Sequence, residues 1–309
     1  MEKVLTITLN PAIDKSTSTP FILPEKKLRC TSPKFEPGGG GVNVSRVLHK
    51  MGYSSTAMFT AGGHTGAFFT KLVQDEGIEA MVIPIEGYTR ENLIVQDTSS
   101  DSQYRFGMPG PTIQEHEWRA CLSGLKEAKG YAYVVISGSN PTGVPADFYG
   151  EAADIVKEKK SKLIVDTSGE ALKHALNEGV FMAKPNLGEL SNLAGVKELD
   201  ANSVVDAARK IILAGQSELL VVSMGAAGAM LITAKEFYHE PAPPIKIRST
   251  VGAGDSMVAG TIIAMQKKLS LRDILRYGIA AGTAATMNEG TGLCTQENID
   301  KIRSFFISE

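Results

Sequence analysis

The sequence predicts an α/β fold, a mainly parallel sheet held between two helical layers as a three-layer sandwich, with a small separate β-layer. Three observations carry this expectation. Short β-rich apolar runs recur with helical periodicities between them, the alternation that builds parallel sheets from strand–helix–strand units. Two of those runs, 133–137 (YVVIS) and 219–223 (LLVVS), show no polar alternation, as strands covered on both faces should. Two further segments, 15–35 and 88–108, depart from the pattern with period-two character, charges and little helical periodicity.

Taken in order, strands are expected at 4–8, 56–60, 133–137, 163–166, 219–223 and 230–233, and helices at 42–51, 115–128, 146–160 and 203–214. The uncharged stretch 219–234 is broken by Ser223, Gly225 and Gly228. It is shorter than the ~20 apolar residues of a spanning helix, so it reads as strand, turn and strand. Residues 90–96 and 103–107 flank the turn-forming TSSDS and read as a hairpin. With 15–35 they are taken as one β-lid on a single domain covering 1–309, since no linker or repeat divides the chain. In such sheets ligands bind at the carboxyl ends of the strands.

Composition narrows the function classes. Apolar residues make up 43%, charged residues 21%, and the formal net charge is −2. These values exclude disordered and fibrous classes and argue against a general nucleic-acid surface. Cys30, Cys121 and Cys294 are far apart and odd in number, which fits a reducing compartment. The opening MEKVLTITLNPAID has no signal-peptide pattern, so a soluble cytoplasmic protein without membrane contact is expected. Glycine is the anomaly, at 31 of 309 residues, or about 10% against a usual ~7%.

Much of that glycine lies in two clusters. STVGAGDSMVAG, residues 249–260, opens a long apolar helix expected to end near Lys267 and Lys268. Gly252 and Gly254 let backbone approach a ligand, and the free amides of a helix start attract negative charge. Asp255 stands beside them. Spacing alone reads it as an N-cap. The helix is apolar nearly all round, however, so its start is expected to be buried, and a buried carboxylate needs a stronger reason. A base beside an anion-stabilising amide cluster is what phosphoryl transfer requires. The second cluster, EPGGGGVNVSR at 36–46, is costly in backbone entropy and points to a closely approached ligand. It lacks the Lys–Ser/Thr of a phosphate loop and the spacing of a dinucleotide fingerprint. Asn43 and Asp14 are placed to bond sugar hydroxyls.

NPAID (10–14), PGGGGVNVSR (37–46), KPNLGE (184–189), SMGAAGA (223–229) and TVGAGDSMVAG (250–260) together resemble, in order and spacing, the motifs of the ribokinase-like (PfkB) sugar kinases. The resemblance covers the whole chain. It implies a Rossmann-like α/β sandwich with a β-lid and ATP-dependent phosphorylation of a sugar hydroxyl. It makes Asp255 the catalytic base and Gly252, Ala253 and Gly254 the anion hole. Asn186 and Glu189 would organise Mg²⁺ and its waters, although unaided they read as a helix capping box. Lys184, Ser223, Gly225 and Gly228 would contact the nucleotide, and Asn288 would line the adenine pocket. Gly38, Gly39, Asn43 and Asp14 would hold the sugar.

The stretches LPEKKLRCTSPKFEPGGGG, TRENL, QYRFGMPG and ISGSNPTGV point within the family to a phosphorylated ketohexose, fructose 6-phosphate, phosphorylated at its C1 hydroxyl. Arg90, Arg105 and Lys27 would then clamp the substrate phosphate, and Ser139 would add a hydroxyl contact. Related kinases of fructose 1-phosphate usually carry a lysine where Gly40 stands. Asn140, Thr142 and Gly292 also depart from common family residues, which leaves substrate tuning and cation preference open. The resemblance further implies a homodimer packed lid against lid, with Lys27 reaching the neighbouring site. It also implies candidate carbonyl positions for a monovalent cation such as K⁺ at Ser249, Val251 and Gly290. A kinase for tagatose 6-phosphate or fructose 1-phosphate, and a non-catalytic sugar-phosphate sensor, stay as alternatives.

Overall fold

A computed structural model describes residues 2–288 and 291–306. Thirteen strands are found among them: β1 (Lys3–Thr8), β2 (Ala12–Thr19), β3 (Lys34–Gly38), β4 (Ser55–Ala61), β5 (Glu79–Pro84), β6 (Arg90–Asp97), β7 (Ser102–Phe106), β8 (Tyr131–Ser137), β9 (Lys162–Asp166), β10 (Val180–Ala183), β11 (Ser217–Ser223), β12 (Ala229–Thr233) and β13 (Phe237–Glu240). Nine form one sheet in the order β13-β12-β11-β10-β9-β8-β1-β4-β5. Pairing is parallel from β5 through β11, and β12 and β13 add antiparallel to one edge.

Each strand and helix expected from the pattern is present, with ends displaced by at most two residues. The expected elements did not include helices Gly63–Asp75, Gly169–Glu178, Leu187–Leu193, Leu271–Thr286 and Gln296–Phe305, or three strands of the large sheet. β10 has only four residues, and β5 and β13 are largely exposed strands at the sheet edges. Weak apolar patterning is what an edge position permits.

The two-sided burial read from YVVIS is visible residue by residue. Val134 and Ile136 of β8 join a core with Trp118, Phe148 and Leu172, whereas Tyr133 and Val135 join another with Val47, Ile262 and Ile279. Helices Glu115–Glu127, Phe148–Glu158, Gly169–Glu178 and Ala201–Leu213 cover the first face. Helices Gly40–Lys50, Ala253–Gln266, Leu271–Thr286 and Gln296–Phe305 cover the second. The carboxyl ends of β8, β9 and β11, and the residue after β10, deliver Ser137, Asp166, Ser223 and Lys184 to one rim.

The departing segments meet in a four-stranded sheet, β3-β2-β6-β7, with β2 and β6 parallel and the other pairs antiparallel. β2 begins at Ala12, which puts Asp14 within a strand of this sheet. Between β2 and β3 the chain is not strand, so 15–35 supplies the small sheet with its two ends only. Pro20, Pro24 and Pro33 explain this, because proline has no N–H to give a ladder. Lys27 lies in that exposed loop. Among the described residues no helix is long and apolar enough to cross a membrane.

Helix 253–266 is apolar all round because it is packed all round. Eight of its residues are buried, and Gly260 meets helix 271–286 so closely that a Cβ there would lie 2.6 Å from Ala281 Cβ. Gly260→Ala is therefore expected to destabilise the protein by about 1–3 kcal/mol through overpacking, more than the ~1 kcal/mol that alanine gains over glycine in a helix. Denaturant unfolding of the two proteins measures this, and a stabilised variant would refute the close packing.

Candidate active site

The site is built around the start of helix 253–266. Gly252 is its N-cap in the left-handed region, at φ 71°, where a Cβ would also approach Leu293 Cδ2 to 2.6 Å. No side chain caps this end. The amides of Ala253 and Gly254, which have no intrahelical acceptor, are thus available to an anion, with the helix dipole behind them. Asp255 is not the cap but the third helical residue. Its Oδ2 accepts from Asn43 Nδ2 at 2.9 Å, and Ser137 Oγ lies 3.5 Å from Oδ1. Burial, then the negative charge of Asp166, pushes the carboxyl up to about 7, against the restraint of Asn43, Lys184 and Ser137. Such a group exchanges protons near neutrality, as a general base should.

Lys184 is buried beside this carboxylate, its Nζ 3.1 Å from Asp166 Oδ1. Burial alone would lower its pKa, but the charge and hydrogen bond of Asp166, with help from Asp255 and Glu189, outweigh that and raise it. Its ammonium sits close to Gly254, so close that a Cβ there would lie 3.3 Å from Nζ. A fixed cation thus stands beside the free amides. Asp166 was not picked out from sequence, although it ends an expected strand on the rim where ligands bind.

On one side of the helix start is a cavity of about 370 Å³ lined by Asp14, Gly39, Asn43, Arg90, Arg105, Val251, Gly252 and Asp255, among others. Asp14 accepts from Asn92 Nδ2 at 2.9 Å, and burial raises its pKa despite that bond and the charges of Arg46 and Arg90. Gly38 is required here because a Cβ would run into the Asp14 carboxylate. Arg90 is braced on the carbonyls of Met108 and Asn10, both at 3.0 Å, and its Nε is buried without a partner. Arg105 bonds Gln103 at 2.8 Å and reaches the hydroxyls of Thr250 and Ser249 at 3.4 to 3.5 Å. Ser139 lies just outside this lining and accepts from Asn10. Lys27 does not line it at all, because the loop between β2 and β3 carries it away.

On the other side is an apolar cavity of about 470 Å³, lined by Ser223, Gly225, Gly228, Ala253, Gly254 and the strap Ala242–Ile247, with helix 271–286 opposite. The strap, rich in proline, had no reading from sequence. Asn288 is not in this lining, and its amide is turned onto the carbonyls of Ala284 and Leu293. Asn186 and Glu189 form the capping box, each side chain bonding the other's backbone amide at 2.8 Å. Ser249 is buried and accepts from the Val251 amide at 3.3 Å, while Gly290 lies outside the described residues.

The helix start is therefore the wall between two cavities, with Ala253 and Gly254 lining the apolar one and Gly252 and Asp255 the polar one. The profile of the pfkB family carbohydrate kinases matches residues 4–298. The chain belongs to this family. Among its relatives, the ATP-dependent 6-phosphofructokinase isozyme 2 of Escherichia coli K12 is 41% identical over 99% of each chain. The 1-phosphofructokinase of Bacillus subtilis is 31% identical over 97% of each. The crystal structure of phosphofructokinase-2 from Escherichia coli in complex with fructose-6-phosphate superimposes with a TM-score of 0.92, at 40% identity over 99% of each chain. In this pfkB chain the small sheet and the glycine-rich helix starts thus belong to a known architecture.

The elevated Asp255 pKa has a consequence for stability. The folded carboxyl, at about 7, binds its proton more tightly than the unfolded one at 3.8. Folding is therefore opposed by this group once the unfolded chain ionises, increasingly from pH ~4 to ~7 and constantly above. Asp255→Asn should match wild type near pH 4 and become more stable by roughly 1–3 kcal/mol at pH 8, cavity water screening part of the charge. Thermal or denaturant unfolding across this pH range checks it; a stability difference independent of pH would show that the carboxylate is not strained.

Proposed function

We propose that the protein transfers the γ-phosphoryl group of ATP to the C1 hydroxyl of fructose 6-phosphate, giving fructose 1,6-bisphosphate and ADP. The observation that carries this reading is the wall between the two cavities. A donor in the apolar cavity and an acceptor in the polar one meet at the free amides of Ala253 and Gly254, with Asp255 facing the acceptor. The greater identity to an isozyme acting as a 6-phosphofructokinase than to a 1-phosphofructokinase supports the 6-phosphate. So does Gly40, where any side chain would collide with Ser137 Oγ and the Gly138 amide.

Asp255 takes the hydroxyl proton, and the amides of Gly252, Ala253 and Gly254 receive the charge of the moving phosphoryl group. Lys184 neutralises phosphate oxygens beside them. Asp14, held by Asn92, and Asn43 fix the sugar; Arg90 and Arg105, with Ser139 behind them, hold its phosphate through directed donors. Ser223, Gly225 and Gly228 bound the nucleotide. Among the described residues no group of three His, Cys, Asp or Glu is placed to hold a metal. This fits Mg²⁺, which keeps waters and rides on phosphates with one or two carboxylates. Glu189, whose Oε2 serves the capping box, would hold it, and the ion would supply charge neutralisation. Ser249 and Val251, on the loop into the anion hole, would take K⁺.

The small sheet also supports an assembly. Tyr104 and Phe106 on β7, Met108 just after it, and Phe21 and Leu23 in the loop after β2 are 42–50% exposed, apolar side chains suited to a second copy packed lid against lid. Lys27, unused in its own cavity, would then reach the neighbour's.

Coupled assays of ADP release with fructose 6-phosphate, tagatose 6-phosphate and fructose 1-phosphate should give the highest kcat/KM for the first. Comparable values for fructose 1-phosphate would move the assignment within the family, and no turnover with any would favour a sensor. Asp255→Asn should lower kcat at least ~10²-fold with nucleotide binding retained. Arg105→Ala should chiefly raise KM for the sugar phosphate. Analytical ultracentrifugation tests the dimer, against which a concentration-independent 33.0 kDa species would count.

A further inference from the structure

One turn beyond Asn43, on helix 40–50, Arg46 is buried at 2% exposure, the largest fully buried side chain among the described residues. Its Nε and Nη2 grip the Glu76 carboxylate at 2.6 to 3.0 Å, and Nη2 lies 3.5 Å from Glu36. Nη1 donates to the Pro37 carbonyl at 2.9 Å and to Asn43 Oδ1 at 3.3 Å. Glu36 also takes Lys34 at 2.9 Å and the Thr291 hydroxyl at 2.9 Å. Glu36 and Glu76 account for the ion pairs of Arg46, but the contact onto the uncharged Asn43 amide is not explained by charge.

That contact has a direction. An amide has an acceptor end and a donor end. With Arg46 on Oδ1, Nδ2 is the end left to hold Asp255 Oδ2, at 2.9 Å. Reversing the amide would set its NH₂ against the guanidinium and its oxygen against the carboxylate, two repulsive contacts replacing two bonds. Without Arg46 only one of the two penalties remains.

We propose that Arg46 is a positioning residue for phosphoryl transfer, locking the Asn43 amide so that its donor end keeps the Asp255 carboxylate aimed at the acceptor hydroxyl. The inference rests on the reading of Asp255 as the base. The groups facing Asp255 are Asn43 from helix 40–50, Ser137 at the end of β8, Asp166 at the end of β9 and Lys184 after β10. Those facing Arg46 are Glu36, Glu76, Asn43, Lys50 and Asp14. Arg46 reaches the base through Asn43.

The test is a double-mutant cycle read by steady-state kinetics with ATP, Mg²⁺ and fructose 6-phosphate across pH. Arg46→Lys keeps a cation between Glu36 and Glu76 but gives up the fork that spans Glu76 and Asn43. It should lower kcat about tenfold, the scale of one lost charge-assisted hydrogen bond, leave both KM values within about twofold, and move the acid limb of kcat to higher pH. In an Asn43→Ala background the same change should cost no more than about twofold. Wild-type kcat and acid limb for Arg46→Lys would overturn the proposal, and so would an equal loss in both backgrounds, which marks a merely structural residue. Should Arg46→Lys not fold, Glu76→Gln loosens the guanidinium instead. It should give a smaller loss of the same kind, absent in Asn43→Ala, and no loss would overturn the proposal. Asp255→Asn separates the two claims. If it turns over like wild type, the base reading falls and takes this inference with it. If it is inactive while Arg46→Lys is normal, only the inference falls.

Discussion

The carboxylate of Asp255 at an uncapped helix start is the constraint on which the rest of the site depends. It is half-buried in the cavity wall, next to another acid, and near amides that favour negative charge. Each neighbour answers part of that cost. Asn43 donates to it, Lys184 offsets Asp166, and helix 253–266 is buried so firmly that its first turn has little freedom to move away. A carboxylate in this position is costly for folding and suited to catalysis, the usual relation between strain and function.

The same constraint explains why the chain spends buried charge on Arg46. The guanidinium joins the base of the small sheet, through Glu36 and Pro37, to helix 40–50 and to Glu76. Burial works to raise the Glu36 carboxyl, yet the bonds from Lys34 and Thr291 and the charge of Arg46 hold it below the ordinary range. Removing one member of such a cluster typically costs about 3–5 kcal/mol, because the partners are left charged and buried. Thr291 extends the connection to the loop that packs on Gly252 through Leu293. The polar cavity is thus framed by groups that cannot shift one at a time.

The central sheet was legible because burial on both faces writes itself into a strand as an unbroken apolar run. The hairpin of β6 and β7 was legible through its turn. The loop between β2 and β3 was not separated from its flanking strands, because period-two character says nothing about missing N–H donors, which Pro20, Pro24 and Pro33 impose. Asn186 and Glu189 form in the structure the capping box that their spacing alone suggested. The placement of the Asn288 amide was not legible, since it bonds the Ala284 carbonyl of the preceding helix and the Leu293 carbonyl of the loop that follows.

By itself, the sequence determined the layers, the two glycine-rich helix starts and the acid beside one of them. These follow from periodicity and from backbone that only glycine permits, and both are properties of neighbours along the chain. The tertiary structure alone decided that Asn43 meets Asp255 across 212 positions, that Asp166 and Lys184 pair beside it, and that Arg46 stands behind Asn43. Those contacts depend on which strands lie side by side and how far a helix is turned about its axis. No local pattern carries that information, because hydrogen bonds between distant residues arise only once the sheet has brought their elements to one rim.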